Sequence, residues 1–296
     1  MFDLRYHVAS LAAVFLALII GILVGVGISD RGLVDSAKTK FLQDQVASLQ
    51  LRLDNQATQS TDLSHERQAA QTFINETYPA LVRNKLKGKQ IAVVYIGSDK
   101  GSTVQAVDGA LTDAGAEQLR LRSLTVPLDL RRVQAALKNQ PAAEGLRGRK
   151  NLESLGHALG LELVQGGDTP LWNALTEALV EHGEGGTQAP ADGVVVIRTA
   201  PPQKKPGSTF LRGLYSGLAS TPAPAVGVEQ TDDPHSAIDI FHESGLSTVD
   251  DMDTRVGRLA LVLLLAGASP GQYGVKDSAG DGALPPLPTT QAAASG

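Results

Sequence analysis

The sequence predicts an α/β protein in which a transmembrane helix and a coiled-coil helix precede a parallel-sheet domain. Three observations lead to this fold class: an uncharged apolar run near the start, a heptad pattern after it, and short apolar runs that alternate with helical patterns in the remainder. The predicted segments are a leader (1–7), a transmembrane helix (8–28), a coiled-coil stalk (30–78), an α/β domain (88–274) and a disordered tail (275–296).

The apolar run covers residues 8–28 and contains no charged side chain. A helix of this length spans roughly 30 Å, which matches the hydrocarbon core of a bilayer. The alternative is a cleaved signal peptide, whose apolar region would be shorter, about 7–15 residues, behind a basic leader. Here Arg5 is offset by Asp3, so we favour an uncleaved anchor. Gly21 and Gly25 form a GxxxG step that would let two such helices pack closely.

The charges that flank the anchor do not settle its orientation. Arg5 lies on one side, whereas Arg31, Lys38 and Lys40 lie on the other. The positive-inside rule is therefore ambiguous for this chain.

Residues 33–77 contain neither Gly nor Pro and carry a heptad seam. The 4-3-4 spacing of an apolar seam falls on Leu42, Val46, Leu49 and Leu53. One alternative is a single amphipathic helix that lies on its own domain. We favour a coiled coil that makes the protein a homo-oligomer, because an anchored helix loses less entropy when it pairs. Tyr78 precedes a proline, and this step predicts the end of the helix.

The pattern after residue 87 predicts alternating strands and helices. Apolar runs predict strands at 90–97, 119–126, 192–199 and 225–229, with a shorter one at 161–164. Helices are predicted at 102–113, 171–182 and 208–218, and a Gly-rich loop at 183–191. About five strands with helical crossovers indicate a flavodoxin-like or Rossmann-like parallel sheet.

Residues 259–268 are apolar throughout but reach only half the length of a membrane span. We therefore predict a helix buried against the sheet. Thr248 with Asp251, or alternatively Asp253, is predicted to cap its start.

The composition argues against several functions. The absence of cysteine excludes disulfides, thiolate metal sites and a cysteine nucleophile. Two methionines are too few for a thioether copper site. A net charge of −5 without a long basic run argues against nucleic acid as a partner. Neither GxSxG nor HExxH occurs, so we predict no catalytic residues and no enzyme.

Three polar segments are candidate sites. The loop at 97–103 fits neither GxGxxG nor GxxxxGK[ST], so we predict a turn and a helix cap rather than a cofactor site. His235, Asp239 and His242 follow i, i+4 and i+7, a pattern that could bind Cu(II) or Zn(II), although a solvated helix face also explains it and is favoured. The aspartates at 250, 251 and 253 could bind a hard cation, but helix capping accounts for them.

The opening at residues 2–28, the heptads and the segment at 245–267 together resemble the actinobacterial MctB-type copper transport protein family. The most specific part is residues 247–258, and Arg255 stands there where the family usually has a small residue or proline. Its motif positions in this chain are Ser247, Thr248, Asp250, Asp251, Asp253, Thr254, Gly257 and Arg258.

The resemblance implies a single-pass protein of the cell membrane with a cytoplasmic leader and an extracytoplasmic α/β domain. It also implies a role in copper efflux and homeostasis, and copper as a ligand follows from the resemblance alone. The resemblance further implies a partner in an envelope complex that supports cell separation. Two functions thus stay open: copper transport, and a membrane scaffold that positions a domain for a partner or ligand.

Overall fold

A computed structural model describes residues 4–28, 31–186 and 188–287 and divides the chain into two units, Met1–Ala70 and Gln71–Gly296. The first unit contains helix α1 (Leu4–Ile28) and most of helix α2 (Arg31–Val82). Within α1, Tyr6–Gly27 is long and apolar enough to cross a membrane, and its large apolar side chains are exposed. The predicted N-terminal apolar helix is therefore present.

Helix α2 continues through Pro79 to Val82, so the prediction that it ends at Tyr78 is wrong. Tyr78 and Val82 are buried in the core of the second unit, as is Leu86 just after the helix. Burial of these side chains outweighs the backbone hydrogen bond that proline removes. The last turns of α2 are thus an integral part of the α/β domain.

The second unit is built on one seven-stranded sheet in the order β3-β2-β1-β4-β5-β6-β7. The strands are β1 (Gln90–Ile96), β2 (Glu117–Leu124), β3 (Val180–Gly185), β4 (Gly193–Arg198), β5 (Ala225–Val228), β6 (Ser247–Val249) and β7 (Gln272–Tyr273). Every neighbouring pair is parallel except β2 and β3. This confirms the predicted fold class and adds three strands that the sequence pattern did not reveal, namely β3, β6 and β7.

Helices cover both faces of the sheet. They are α3 (Ser102–Asp113), α4 (Leu130–Leu137), α5 (Leu152–Gln165), α6 (Pro170–Leu179), α7 (Gly207–Ala219), α8 (Ile238–Glu243) and α9 (Arg255–Leu265). Alternate residues of β1 enter different cores: Val94 packs with α4 to α7, whereas Val93 packs with α3, α9 and the end of α2. As predicted, α9 is a helix buried against the sheet.

Three local predictions failed. Residues 161–164, predicted as a strand, belong to α5. Residues 180–182 of the predicted helix and 183–185 of the predicted loop belong to β3. Strand β3 lies at the sheet edge and its residues are mostly exposed, so it carries no apolar pattern for a sequence to show.

Helices α5 and α7 meet backbone to backbone. A Cβ atom added at Gly213 would lie 2.0 Å from the carbonyl oxygen of Glu153, and one at Gly160 would lie 2.5 Å from that of Leu214. Gly156 and Gly217 are similarly close to the opposite helix. Only glycine allows this approach, which sequence analysis did not identify.

The segment predicted to be disordered begins at residue 275, yet its first part is folded. Val275 N donates to Asp250 Oδ1 at 2.8 Å, and Asp281 N donates to the Gln272 carbonyl oxygen at 3.1 Å. Hydrogen bonds, and not buried apolar side chains, thus hold this stretch in place, which is why the sequence pattern did not reveal it. Residues 288–296 of the predicted tail lie outside the described residues.

Candidate functional site

Ligands of open parallel sheets usually bind at the carboxyl ends of the strands, where the strand order reverses. In this sheet that position lies between β1 and β4. The loops that follow the two strands are joined directly, because Thr199 Oγ1 donates to the Ser98 carbonyl oxygen at 2.8 Å and Ala200 N to that of Ile96 at 3.0 Å. Gly97 has a φ of 106°, and a Cβ there would lie 2.9 Å from the Cβ of Ala200. The chain itself therefore fills the crevice between these loops.

A cleft of about 310 Å³ remains beside the joined loops. Lys100 and Arg198 contribute cationic side chains, and Asp232 and Asp233 offset them. The Arg198 guanidinium donates to the Ser236 carbonyl oxygen at 2.8 Å and to that of His235. The arginine thus holds the loop after β5.

The three candidate metal ligands do not share a helix face. Helix α8 begins at Ile238, so His235 lies in the loop before it and the i, i+4, i+7 prediction is wrong. His242 Nε2 lies 3.1 Å from Gln272 Nε2, on the side of β7, and Asp239 lies in the first turn of α8. Among residues 4–28, 31–186 and 188–287, no three His, Asp or Glu side chains are grouped so as to hold a metal ion.

The start of α8 is set by a buried carboxylate of the neighbouring loop. Glu229 is 2% exposed, and its Oε2 accepts from Ala237 N at 2.6 Å while its Oε1 accepts from Ser236 Oγ at 2.7 Å. Because these bonds hold residues 236 and 237 outside the helix, His235 cannot follow the helical period.

The segment at residues 247–258 forms β6, a turn and the start of α9. Ser247 Oγ accepts from Gly271 N at 3.3 Å, and Thr248 is buried within the sheet. Asp250 is 1% exposed and accepts from the amides of Val275 and Lys276. Ser247 and Asp250 therefore bind β6 to the chain that follows α9.

The second half of the segment fixes the turn itself. Asp253 Oδ1 accepts from Thr231 N at 2.8 Å and from Thr231 Oγ1 at 2.9 Å, which ties the turn to the loop after β5. Arg258 Nε donates to the Met252 carbonyl oxygen at 3.2 Å. The aspartates at 250 and 253 thus accept hydrogen bonds from neighbouring segments of the chain.

Thr254 caps α9, because its Oγ1 accepts from Gly257 N at 2.9 Å. The predicted caps, Thr248 with Asp251 or Asp253, are therefore wrong. Strand β6 extends through Val249, which places Thr248 inside the sheet and too far from the helix.

Asp251 is fully buried beneath the start of α9. Its Oδ2 accepts from Thr254 Oγ1 at 2.8 Å, whereas its Oδ1 has no hydrogen-bond partner among the described residues. A Cβ at Gly257 would lie 2.5 Å from that oxygen, so only glycine fits there. Burial raises the pKa of Asp251 to about 6; the Thr254 hydroxyl opposes this rise, and the charges of Asp250 and Asp253 add to it.

We expect the mutation Asp251→Asn to flatten the dependence of stability on pH. An unfolded aspartate has a pKa of about 3.9, so the folded protein binds this proton more tightly. The stability that it contributes is full below about pH 4 and is lost as the pH rises through about 6, a change of about 3 kcal/mol. Denaturant unfolding of both proteins at pH 4.5 and 7.5 measures the difference; equal losses in both would contradict it.

Arg255, the residue at which the segment departs from the family pattern, joins three helices of the second unit. Its guanidinium carbon lies 4.8 Å from the ring centroid of Tyr78, and its Nη1 lies 3.7 Å from Asp113 Oδ2. A cation–π contact and an ion pair thus hold α9 to the end of α2 and to α3.

The predicted seam of α2 is uncovered in a single copy of the chain. Leu42, Val46, Leu49 and Leu53 are 53–64% exposed. Apolar side chains spaced along one helix face and open to solvent are typical of an interaction surface.

The fold, the apolar N-terminal helix and the segment at 247–258 define a membrane-anchored α/β protein related to copper transport. The chain belongs to the MctB family: residues 1–285 match the family described as "Copper transport outer membrane protein, MctB". It is similar to the copper transporters MctB of Mycobacterium tuberculosis and Mycobacterium bovis. Each is 26% identical to this chain over an alignment of 315 positions, which covers 93% of this chain and 96% of the relative. These matches confirm the family resemblance.

Proposed function

We propose that the chain is a single-pass envelope protein that takes part in copper efflux and homeostasis. We further propose that it acts as an oligomeric scaffold and does not bind copper itself. The observation that carries the proposal is the succession of a helix of bilayer length and a helix with an uncovered heptad seam. The copper role is supported by the family and by the names of the relatives.

Anchoring favours self-association of α2. Copies held in one membrane meet in parallel and at a raised effective concentration, so less entropy is lost when their helices pair. The seam continues beyond Leu53 with Gln56 and Ser60, and polar seam residues help to fix register. We therefore infer a homo-oligomer held by residues 42–53.

Direct copper ligation has less support than scaffolding. The candidate ligands His235 and His242 lie on different elements. The His242 ring contacts Gln272, whereas His235 donates its backbone amide to Asp233 Oδ1. Asp250 and Asp253 are used in holding the fold. We therefore infer that copper is the cargo of the assembly and not a ligand of the α/β domain.

A deletion strain tests the copper role. We expect it to accumulate more copper than its parent under copper stress, and a plasmid-borne copy to restore the parental content. A copy with His235→Ala and His242→Ala should restore it equally, because these residues do not form a site. A normal copper content in the deletion strain would refute the copper role. If the histidine variant did not restore the parental copper content, the proposal that the chain does not bind copper itself would be refuted.

A second candidate is a scaffold for a partner protein in an envelope complex of cell separation. The observation that favours it is the exposed apolar seam at Leu42, Val46, Leu49 and Leu53, which offers a surface for a partner helix as well as for a second copy. It predicts that the deletion strain separates its cells defectively while its copper content is unchanged. It also predicts that crosslinking recovers the partner only when the seam of α2 is intact.

We also propose that the α/β domain is extracytoplasmic and the leader cytoplasmic. Because the chain has no cysteine, single cysteines report topology without background. Lys138→Cys, on the exposed surface of the domain, should react with a membrane-impermeant maleimide in intact spheroplasts. Asp3→Cys should react only after lysis, and the reverse pattern would contradict the orientation.

A further inference from the structure

The carboxyl ends of β5 and β6 carry two buried carboxylates that receive a segment from the C-terminal part of the chain. Glu229 follows β5 and is 2% exposed; Asp250 follows β6 and is 1% exposed. Buried carboxylates are costly unless cations or donors satisfy them. Ser236 and Ala237 donate to Glu229, and residues 274–278 supply its cation and the donors of Asp250.

Lys276 provides the charge. Its Nζ lies 2.5 Å from Glu229 Oε1 and donates to the Gln230 carbonyl oxygen at 2.8 Å. Its side chain is only 21% exposed, so this ion pair is partly shielded from water. A short, charge-assisted bond of this kind is among the stronger polar contacts in a protein.

Asp250 recognises the backbone of the same segment. Its Oδ1 accepts from Val275 N at 2.8 Å and Lys276 N at 3.3 Å, and its Oδ2 accepts from Ser278 Oγ at 3.3 Å. Gly274 has a φ of 140°, and a Cβ there would lie 1.9 Å from Asp250 Oδ1. Position 274 therefore admits only glycine.

We infer that Glu229, Asp250 and the Gln230 carbonyl form a binding site for a turn-forming peptide of the pattern Gly-x-Lys-x-Ser, and that residues 274–278 occupy it as a ligand within the chain. The binding site recognises an ammonium group, two consecutive amides and a hydroxyl. Because it is built from loops after β5 and β6, it also joins those loops to each other. Release of the segment removes the cation of Glu229 and three donors of Asp250.

Hydrogen–deuterium exchange of the full chain in detergent tests the lysine. In the wild type, the amides of residues 274–276 should be protected. Lys276→Met should raise their exchange roughly tenfold, since a bond to a charged group is lost. Lys204→Met, on an exposed loop, should leave them unchanged. Equal exchange in all three proteins would overturn the inference.

Binding in trans tests the binding site itself. Gly274→Val should displace the segment within the chain. A labelled peptide of residues 274–284 should then bind this variant saturably, with roughly tenfold weaker binding when the peptide carries Lys276→Met. The wild-type chain, whose binding site is filled, should not bind it. A folded Gly274→Val variant that binds neither peptide, or both equally, would overturn the inference; if that variant does not fold, the exchange experiment decides.

Discussion

Gly213→Ala is expected to destabilise the α/β domain by about 3 kcal/mol or more, although it adds a single methyl group. The new Cβ would lie 2.0 Å from the Glu153 carbonyl oxygen, so α5 and α7 must move apart. Leu155 and Leu159, which are fully buried between these helices and the sheet, would lose packing as a result. Thermal or denaturant unfolding followed by circular dichroism measures the loss.

Gly109→Ala is the matched control for this prediction. Gly109 lies within α3, and a Cβ added there meets nothing within 4 Å. The same substitution should therefore stabilise the protein by up to about 1 kcal/mol, through helix propensity alone. If both variants shifted stability in the same direction, the close approach of α5 and α7 would not be what selects glycine.

The second large effect is expected from Leu49→Asp combined with Leu53→Asp, which should abolish self-association. Each buried leucine contributes about 1.5–3 kcal/mol, and a pair of helices loses four of them. A loss of at least about 6 kcal/mol weakens association roughly 10⁴-fold, before the repulsion between the new charges is added. Sedimentation or crosslinking of the full chain in detergent measures the oligomer.

Leu51→Asp provides the control, because Leu51 lies on the same helix, is 65% exposed and falls outside the seam. This variant should associate like the wild type. A monomeric wild type would contradict the proposed oligomer. If Leu51→Asp weakened self-association as much as the double variant, the seam would not be what holds the oligomer together.

The fold class could be predicted because its central strands are buried on both faces. Strands β1 and β4 read as unbroken apolar runs, and α1 is apolar over a bilayer length. Strand β3 could not be found this way, since an exposed edge strand needs no apolar face. The glycines at 156, 160, 213 and 217 did offer a signal, because they recur at a spacing of four in each of two helices, as Gly21 and Gly25 do in α1.

The details of the candidate site depend on contacts between residues far apart in the chain. The start of α8, and with it the failure of the histidine pattern, follows from Glu229, which no helical period includes. The partners of Asp250 lie 25 to 28 residues further on. Family resemblance located the segment at 247–258, but only the folded chain shows that its aspartates hold neighbouring segments in place.

The contacts of Lys276 bear on how the protein should be prepared for binding and stability measurements. A recombinant version cut at residue 274, where the sequence pattern predicts the end of the domain, would leave Glu229 without its cation and Asp250 without three donors. Such a protein would be expected to be less stable than the full chain, because two buried carboxylates lose partners. Titrations with copper are therefore informative only when residues 275–278 are intact.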